Sequence, residues 1–397
     1  MARWTPRSRD LTLAWVACLL PRLVAVIVLW SQVVLGTSNT VIVDGVFSSD
    51  LNTPMWPPLY QVFAEVAWRV TGGWASLYLI AHVAVHASVG TAVLLLSARL
   101  GLSRRTAWIG VAVCALLPYL VAASVRQIDV GIFVAVAAWT AAAFARGGAS
   151  VGWWASAWFL IRPESLAAIT GLALWRWGTG ATAERRQLWR AVLVFTAVLL
   201  TWSGANAWRF GRFTPLPANG GQNLYIGHRP GLAERLADRS FNPPRDPDVP
   251  DPAVERGPAL YDTDRAAARL ALRHIRDDPG GALALVPLKF ARYWDWTLGN
   301  NPSHSWIEHV LYSVPYLTIL FFALAGVARL WVGGQRSALA FLAIVIVGYM
   351  LPHLIVFGLI RMRMSVEWAL ILVGAAALGE LRLSPPHAVG SAARLAR

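Results

Sequence analysis

Apolar and polar residues fall along this chain in long blocks. Runs of 18 or more nearly uncharged residues recur, each long enough to cross the ~30 Å hydrocarbon core of a bilayer. The pattern predicts ten apolar helical segments, three of them shorter than 18 residues: about Leu11–Leu35, Trp74–Ala98, Thr106–Ala123, Ile128–Ala145, Val151–Ile161, Ser165–Trp175, Leu188–Trp208, Trp306–Val327, Ser337–Leu359 and Met364–Leu378. The expected fold is therefore an all-α polytopic membrane protein with about ten transmembrane helices, forming one membrane domain over residues 1–397. The first run is too long for a signal h-region and is followed by no small-residue cleavage site, so it reads as a retained signal anchor.

Arginines set the threading. Arg3, Arg7 and Arg9 precede the first run and place the N-terminus in the cytoplasm. Residues 36–73 then form an outer loop with an interfacial helix at Pro57–Val70, where Trp56, Tyr60 and Trp68 suit the head-group region. The stretch from Val151 to Trp177 is interrupted by Arg162-Pro163-Glu164. As a single span it would put Arg176, Arg185, Arg186 and Arg190 outside. Two short helices turning at Arg162-Pro163 keep that cluster inside, provided they are tilted, buried or met by a recessed, wet surface. Residues 209–305 form a second, larger outer segment with a Pro/Asp/Arg-rich loop at 242–252 and amphipathic helices at about Asp262–Arg276 and Leu283–Trp296. Arg329, Arg336 and the C-terminal tail fall on the cytoplasmic side. No internal repeat of the transporter kind is found.

Composition agrees with membrane residence: of 397 residues, 56% are hydrophobic and 14% charged. The formal net charge of +14 is almost wholly arginine, Lys289 being the only lysine. In a soluble protein that balance suggests nucleic acid. Arginines in short loops between apolar runs instead read as topology signals and contacts to anionic membrane lipids, with no nucleic-acid partner. Cys18 and Cys114 both lie inside apolar runs, which argues against a structural disulfide or a zinc site.

The threading leaves Asp44, Asp50, Arg126, Asp129, Arg162, Glu164, Arg361 and Arg363 at the outer face, from four distant parts of the chain. Charged groups at membrane depth cost several kcal/mol unless paired or solvated. Outward arginines oppose the topology bias, and an anionic phosphate held bidentately would compensate them. Sugar transfer from a lipid phosphate needs a base for the acceptor hydroxyl, whereas arginine stabilises the leaving phosphate without a general acid. Asp44, at the start of an outer loop, suits the base, and Asp50 stays in contention. Each residue also has a plainer reading. Asp44 and Asp50 are ordinary loop or capping aspartates, Asp129 offsets a helix dipole, and Arg162-Pro163-Glu164 is a turn with an ion pair. Arg361 and Arg363 cap a helix end or snorkel. Arg22, near the middle of the first run, pairs with a buried acid, and His82 and His86 serve packing or an interhelical hydrogen bond rather than a metal.

Taken together, these residues resemble the GT-C superfamily of polyprenyl-phosphate-sugar-dependent membrane glycosyltransferases, such as protein O-mannosyltransferases and the aminoarabinose transferase. The matching pieces run in order: Val43-Asp44-Gly45, Trp56-Pro57-Pro58-Leu59-Tyr60, Arg126-Gln127-Ile128-Asp129, Ile161-Arg162-Pro163-Glu164 and Gly221–Gly227. Asp277-Asp278-Pro279 with Leu288-Lys289-Phe290, and Arg361-Met362-Arg363-Met364-Ser365-Val366-Glu367, complete them. Family motifs usually carry proline where Ser365 stands and a tyrosine after the first acid, where Gly45-Val46-Phe47 stand. The resemblance implies an inverting transferase on the outer side of a bacterial inner membrane. It moves a monosaccharide from a polyprenyl-phosphate donor to a glycan, lipid or protein acceptor. Asp44 would be its base, Asp129 a supporting acid, and Arg126, Arg162, Arg361 and Arg363 the phosphate ligands. Glu164, Tyr60, Asn223, Tyr225 and Lys289 would support them. Some members bind a divalent cation near the outer aspartates; the carboxylates here are too few to predict one. The competing classes are a lipid-linked substrate flippase, which would spread its polar groups through the membrane depth, and a non-catalytic scaffold of the same fold.

Overall fold

The computed structural model describes residues 4–28, 54, 57–125, 129–237, 258–298 and 305–380, with only the backbone of Asp129. Among these, all regular structure is helical. Six helical stretches are long and apolar enough to cross a membrane. They are α1 (Ser8–Val28), the pair α3 (Ala75–Ala87) and α4 (Val89–Leu100), α10 (Thr182–Phe210), α15 (Trp306–Val332), α16 (Arg336–Ile355) and the composite Ile360–Gly379. This last one joins α17 (Ile360–Arg363), a 3-10 turn at Met364–Val366 and α18 (Glu367–Gly379). A seventh is the bent pair α5 (Arg104–Leu116) and α6 (Pro118–Val125), which meet at 55°.

Against the ten expected, six stretches, or seven with the bent pair as one span, pass by length and composition among the described residues. The other three apolar segments also form helices, α7 (Asp129–Arg146), α8 (Ser150–Ile161) and α9 (Leu166–Thr179), of which α8 and α9 are short. At 1.5 Å per residue, a helix of 12 residues such as α8 rises only about 18 Å, well short of a ~30 Å core. Apolar composition predicted these helices correctly; α8 and α9 are too short to cross as ordinary spans.

Local chemistry fixes the boundaries. Ser103 accepts a hydrogen bond from the amide of Thr106 to open α5, and Ser305 with Glu308 forms a capping box that opens α15. Pro118 lacks the amide a continuous helix needs and disfavours helical backbone at Leu117, whose ψ is 113°, so the chain bends between α5 and α6.

Within the core, Arg22 has no exposed surface. It donates to the carbonyls of Cys18 (2.6 Å) and Cys114 (3.0 Å) and to His86 Nδ1 (3.2 Å). The buried acid expected beside it is thus replaced, among the described residues, by two carbonyl dipoles and a neutral imidazole. His82 Nδ1 lies 2.9 Å from the carbonyl of Ser124, an interhelical hydrogen bond as expected. Cys18 and Cys114 are buried and free.

Candidate functional site

Two short helices build the first wall of the site. α8 ends at Arg162, whose backbone is extended (φ −147°, ψ 97°) because Pro163 follows it. A 3-10 turn at Pro163–Ser165 then starts α9, so the side chains of Arg162 and Glu164 are presented from a turn rather than a helix face. Arg162 lies 5.9 Å from the ring centroid of Phe133.

The opposite wall comes from the segment after α10. α2 (Pro58–Val70) begins beside it, and the carbonyl of Pro54 accepts a 2.7 Å bond from the amide of Ala218. Asn206 Nδ2 bonds the carbonyl of Thr214 at 2.7 Å, holding the loop that follows α10. This loop leads into a short helix, α11 (Gly220–Ile226). α11 is seated by the two glycines that bound its motif. A Cβ at Gly221 would fall on the carbonyl oxygen of Asp264 in α13 (Ala259–Asp277), and one at Gly227 on that of Val356 beyond α16. Only glycine permits both approaches. The Asp264 carboxylate accepts a 3.0 Å bond from the amide of Gln222. Burial raises its pKa, partly offset by the amides of Gln222 and Gly221.

Between these walls lies a cavity of about 1060 Å³, at the large end for a small-molecule site. Four arginines (Arg162, Arg212, Arg265, Arg361) line it, against two carboxylates (Glu164, Asp264). Arg361 is exposed, and Arg212 is paired with Asp262 at 2.6 Å. Asn223, Gln222, Tyr261 and His353 supply neutral polar groups. His353 is held between aromatic rings, stacked on Tyr293 at 5.8 Å and edge-on to Tyr349 at 5.0 Å. Such a surface can hold an anion at its arginines while amide and imidazole groups face a hydroxylated moiety.

Of the residues singled out in the sequence, Arg162, Glu164, Asn223 and Arg361 meet in this cavity. Asp44, Asp50 and Arg126 lie outside the described residues, and Asp129 contributes the first backbone position of α7. Pro57 borders the cavity. Tyr60 is elsewhere, with its ring edge-on to His82 at 6.2 Å. Tyr225 packs on His274 between α11 and α13, with ring centroids 5.9 Å apart.

The reading of Arg363 as a phosphate ligand gives way to a structural one. Its side chain is 1% exposed. It bonds the Glu367 carboxylate (3.3 Å), the carbonyls of Tyr293 (2.9 Å) and Asp295 (3.3 Å), and the Tyr312 hydroxyl (2.5 Å). Its partner arginine two residues earlier takes the cavity side because the short helix α17 turns the two in different directions.

Lys289 is likewise structural. It has no exposed surface and donates a 2.8 Å bond to the carbonyl of Ile355, the last residue of α16, where a cation suits the helix dipole. His228 Nε2 lies 2.7 Å from the same carbonyl, and its pKa is lowered by burial and then by the nearby ammonium. Burial pulls Lys289 down to about 8 from an ordinary 10.5. Between these values the unfolded chain binds more protons than the folded one, so stability should rise with pH across that window. Thermal unfolding at stepped pH should show this slope in the wild type and lose it in Lys289→Met.

Sequence reasoning missed Arg212, Gln222, Asp264, Arg265 and His353. Asp264 and Arg265 carried a signal, since they sit on an amphipathic helix; the approach of that helix to α11 was carried only by glycines. Among the described residues no three His, Cys, Asp or Glu side chains are grouped closely enough to hold a metal ion. Comparison of the chain with family models, with curated proteins and with solved structures finds no match.

Proposed function

We propose that this protein is a membrane glycosyltransferase that moves a monosaccharide from a polyprenyl-phosphate donor to an acceptor hydroxyl at the outer membrane face. The observation that carries this reading is the meeting of Arg162, Arg361, Glu164 and Asn223 in one arginine-rich cavity beside long apolar helices. A lipid carrying a phosphate needs both features, an apolar surround for its chain and guanidinium groups for its head.

In the proposed reaction an aspartate of the first outer loop, Asp44 or Asp50, takes the proton of the acceptor hydroxyl. The oxygen attacks the anomeric carbon on the face opposite the phosphate. The bond from that carbon to the phosphate oxygen breaks with its electron pair, and the lipid phosphate departs carrying the added negative charge. Arg162 and Arg361 would stabilise that charge as it develops.

Binding of polyprenyl phosphate to the protein in zwitterionic nanodiscs tests the assignment. Arg162→Gln and Arg361→Gln should each weaken it by about tenfold or more, the worth of a charge-assisted hydrogen bond. Unchanged binding in both variants would overturn the donor site. Lipid movement between leaflets without any sugar transfer would assign the cavity to transport instead.

A further inference from the structure

Helices α13 and α14 (Pro279–Tyr293) expose opposite kinds of surface. The outer face of α13 carries Arg265, Arg269, Arg273 and Arg276, all exposed. At 3.6 residues per turn the four fall within an arc of about 80° and run about 16 Å along the helix. None of them forms an ion pair among the described residues. Asp262 shares the arc at its start but is engaged by Arg212. The exposed face of α14 is uncharged, with Leu283 at 72% and Phe290 at 46% exposure and Pro287 between them.

The stripe is joined to the cavity, because Arg265, its first member, is also a lining residue. We infer that this stripe is a docking surface for a polyanionic chain, a glycan bearing phosphate or carboxylate groups, whose end enters the cavity past Arg265. Four guanidinium groups spaced by about one helical turn match repeated anionic groups better than a single head group. A helix lying in the head-group layer exposes apolar side chains beside its basic arc. On α13 the only large apolar residue that is exposed is Leu272, whereas α14 has the uncharged face that suits lipid. Naming the polyanion as the acceptor rests on the transferase reading; its binding does not.

The test uses the protein in phosphatidylcholine nanodiscs, with fluorescent inorganic polyphosphate and polygalacturonate as probes and neutral dextran as the control. The wild type should bind both polyanions and not dextran, with affinity falling as salt rises. Arg269→Gln/Arg273→Gln/Arg276→Gln should weaken polyanion binding by about tenfold or more. The charge-matched variant Arg185→Gln/Arg186→Gln/Arg190→Gln, at the start of α10, should change it less than about twofold, since exposed charges beyond a Debye length are screened. Equal weakening by both variants would reduce the effect to net charge and overturn the inference, as would no weakening by the first. Stripe-dependent retention of phosphatidylglycerol with no polyanion binding would overturn it in favour of the lipid leaflet. Polyprenyl phosphate binding, measured alongside, reports separately on the transferase reading.

Discussion

Asp44→Asn should lower sugar transfer by about 10²–10⁴-fold, the usual contribution of a positioned general base, while leaving the affinity for bare polyprenyl phosphate unchanged. Asparagine keeps the size and hydrogen-bonding reach of the side chain but takes no proton at neutral pH. The acceptor oxygen would then have to attack while still carrying its hydrogen. In the proposed site donor binding would rest on guanidinium groups on other segments and has no reason to follow. Asp50→Asn, measured in parallel, decides between the two loop aspartates. If it alone abolishes transfer, the base is Asp50. If transfer survives both substitutions, no base resides in the first outer loop and the mechanism falls.

The largest loss of stability is expected at Arg363. Arg363→Met should destabilise the protein by about 3–5 kcal/mol, because it leaves the Glu367 carboxylate buried without its partner. The substitution also strips a donor from the carbonyls of Tyr293 and Asp295 and from the Tyr312 hydroxyl, which lie on two different stretches of chain. Arg363→Met/Glu367→Leu should recover most of the loss, since a buried pair replaced by apolar side chains of similar volume is often neutral. Thermal unfolding of the purified variants in one detergent measures both. A single variant as stable as the wild type would show that the pair is dispensable.

Much of the helical layout could be read from the chain because apolar length is a local property. The turn at Arg162-Pro163-Glu164 was also readable, since a proline and a charge bias together leave few threadings. Breaks inside apolar runs were harder. Pro118 splits a run that hydropathy treats as continuous, and the junction of α3 and α4 at Ser88 has no composition signal. The cavity was half readable for the same reason. Arg162, Glu164, Asn223 and Arg361 stand out because charge or motif marks them. Arg361 and Arg363 look alike in sequence, yet one lines the cavity and the other is locked to Glu367. Their separation depends on the four-residue helix α17 and the 3-10 turn behind it, and no periodicity in the chain announces either.

The brevity of α8 and α9 has a consequence for the bilayer around the protein. Together they rise and return through roughly two thirds of a hydrocarbon core. In a bilayer, lipids abutting this hairpin would have to dip to cover it, at a cost of fractions of a kcal/mol for each ångström of mismatch. Such a dimple would lie where Arg162 turns the chain. A lipid head group would there sit deeper than elsewhere in the same leaflet, and a thicker bilayer would strain that patch first.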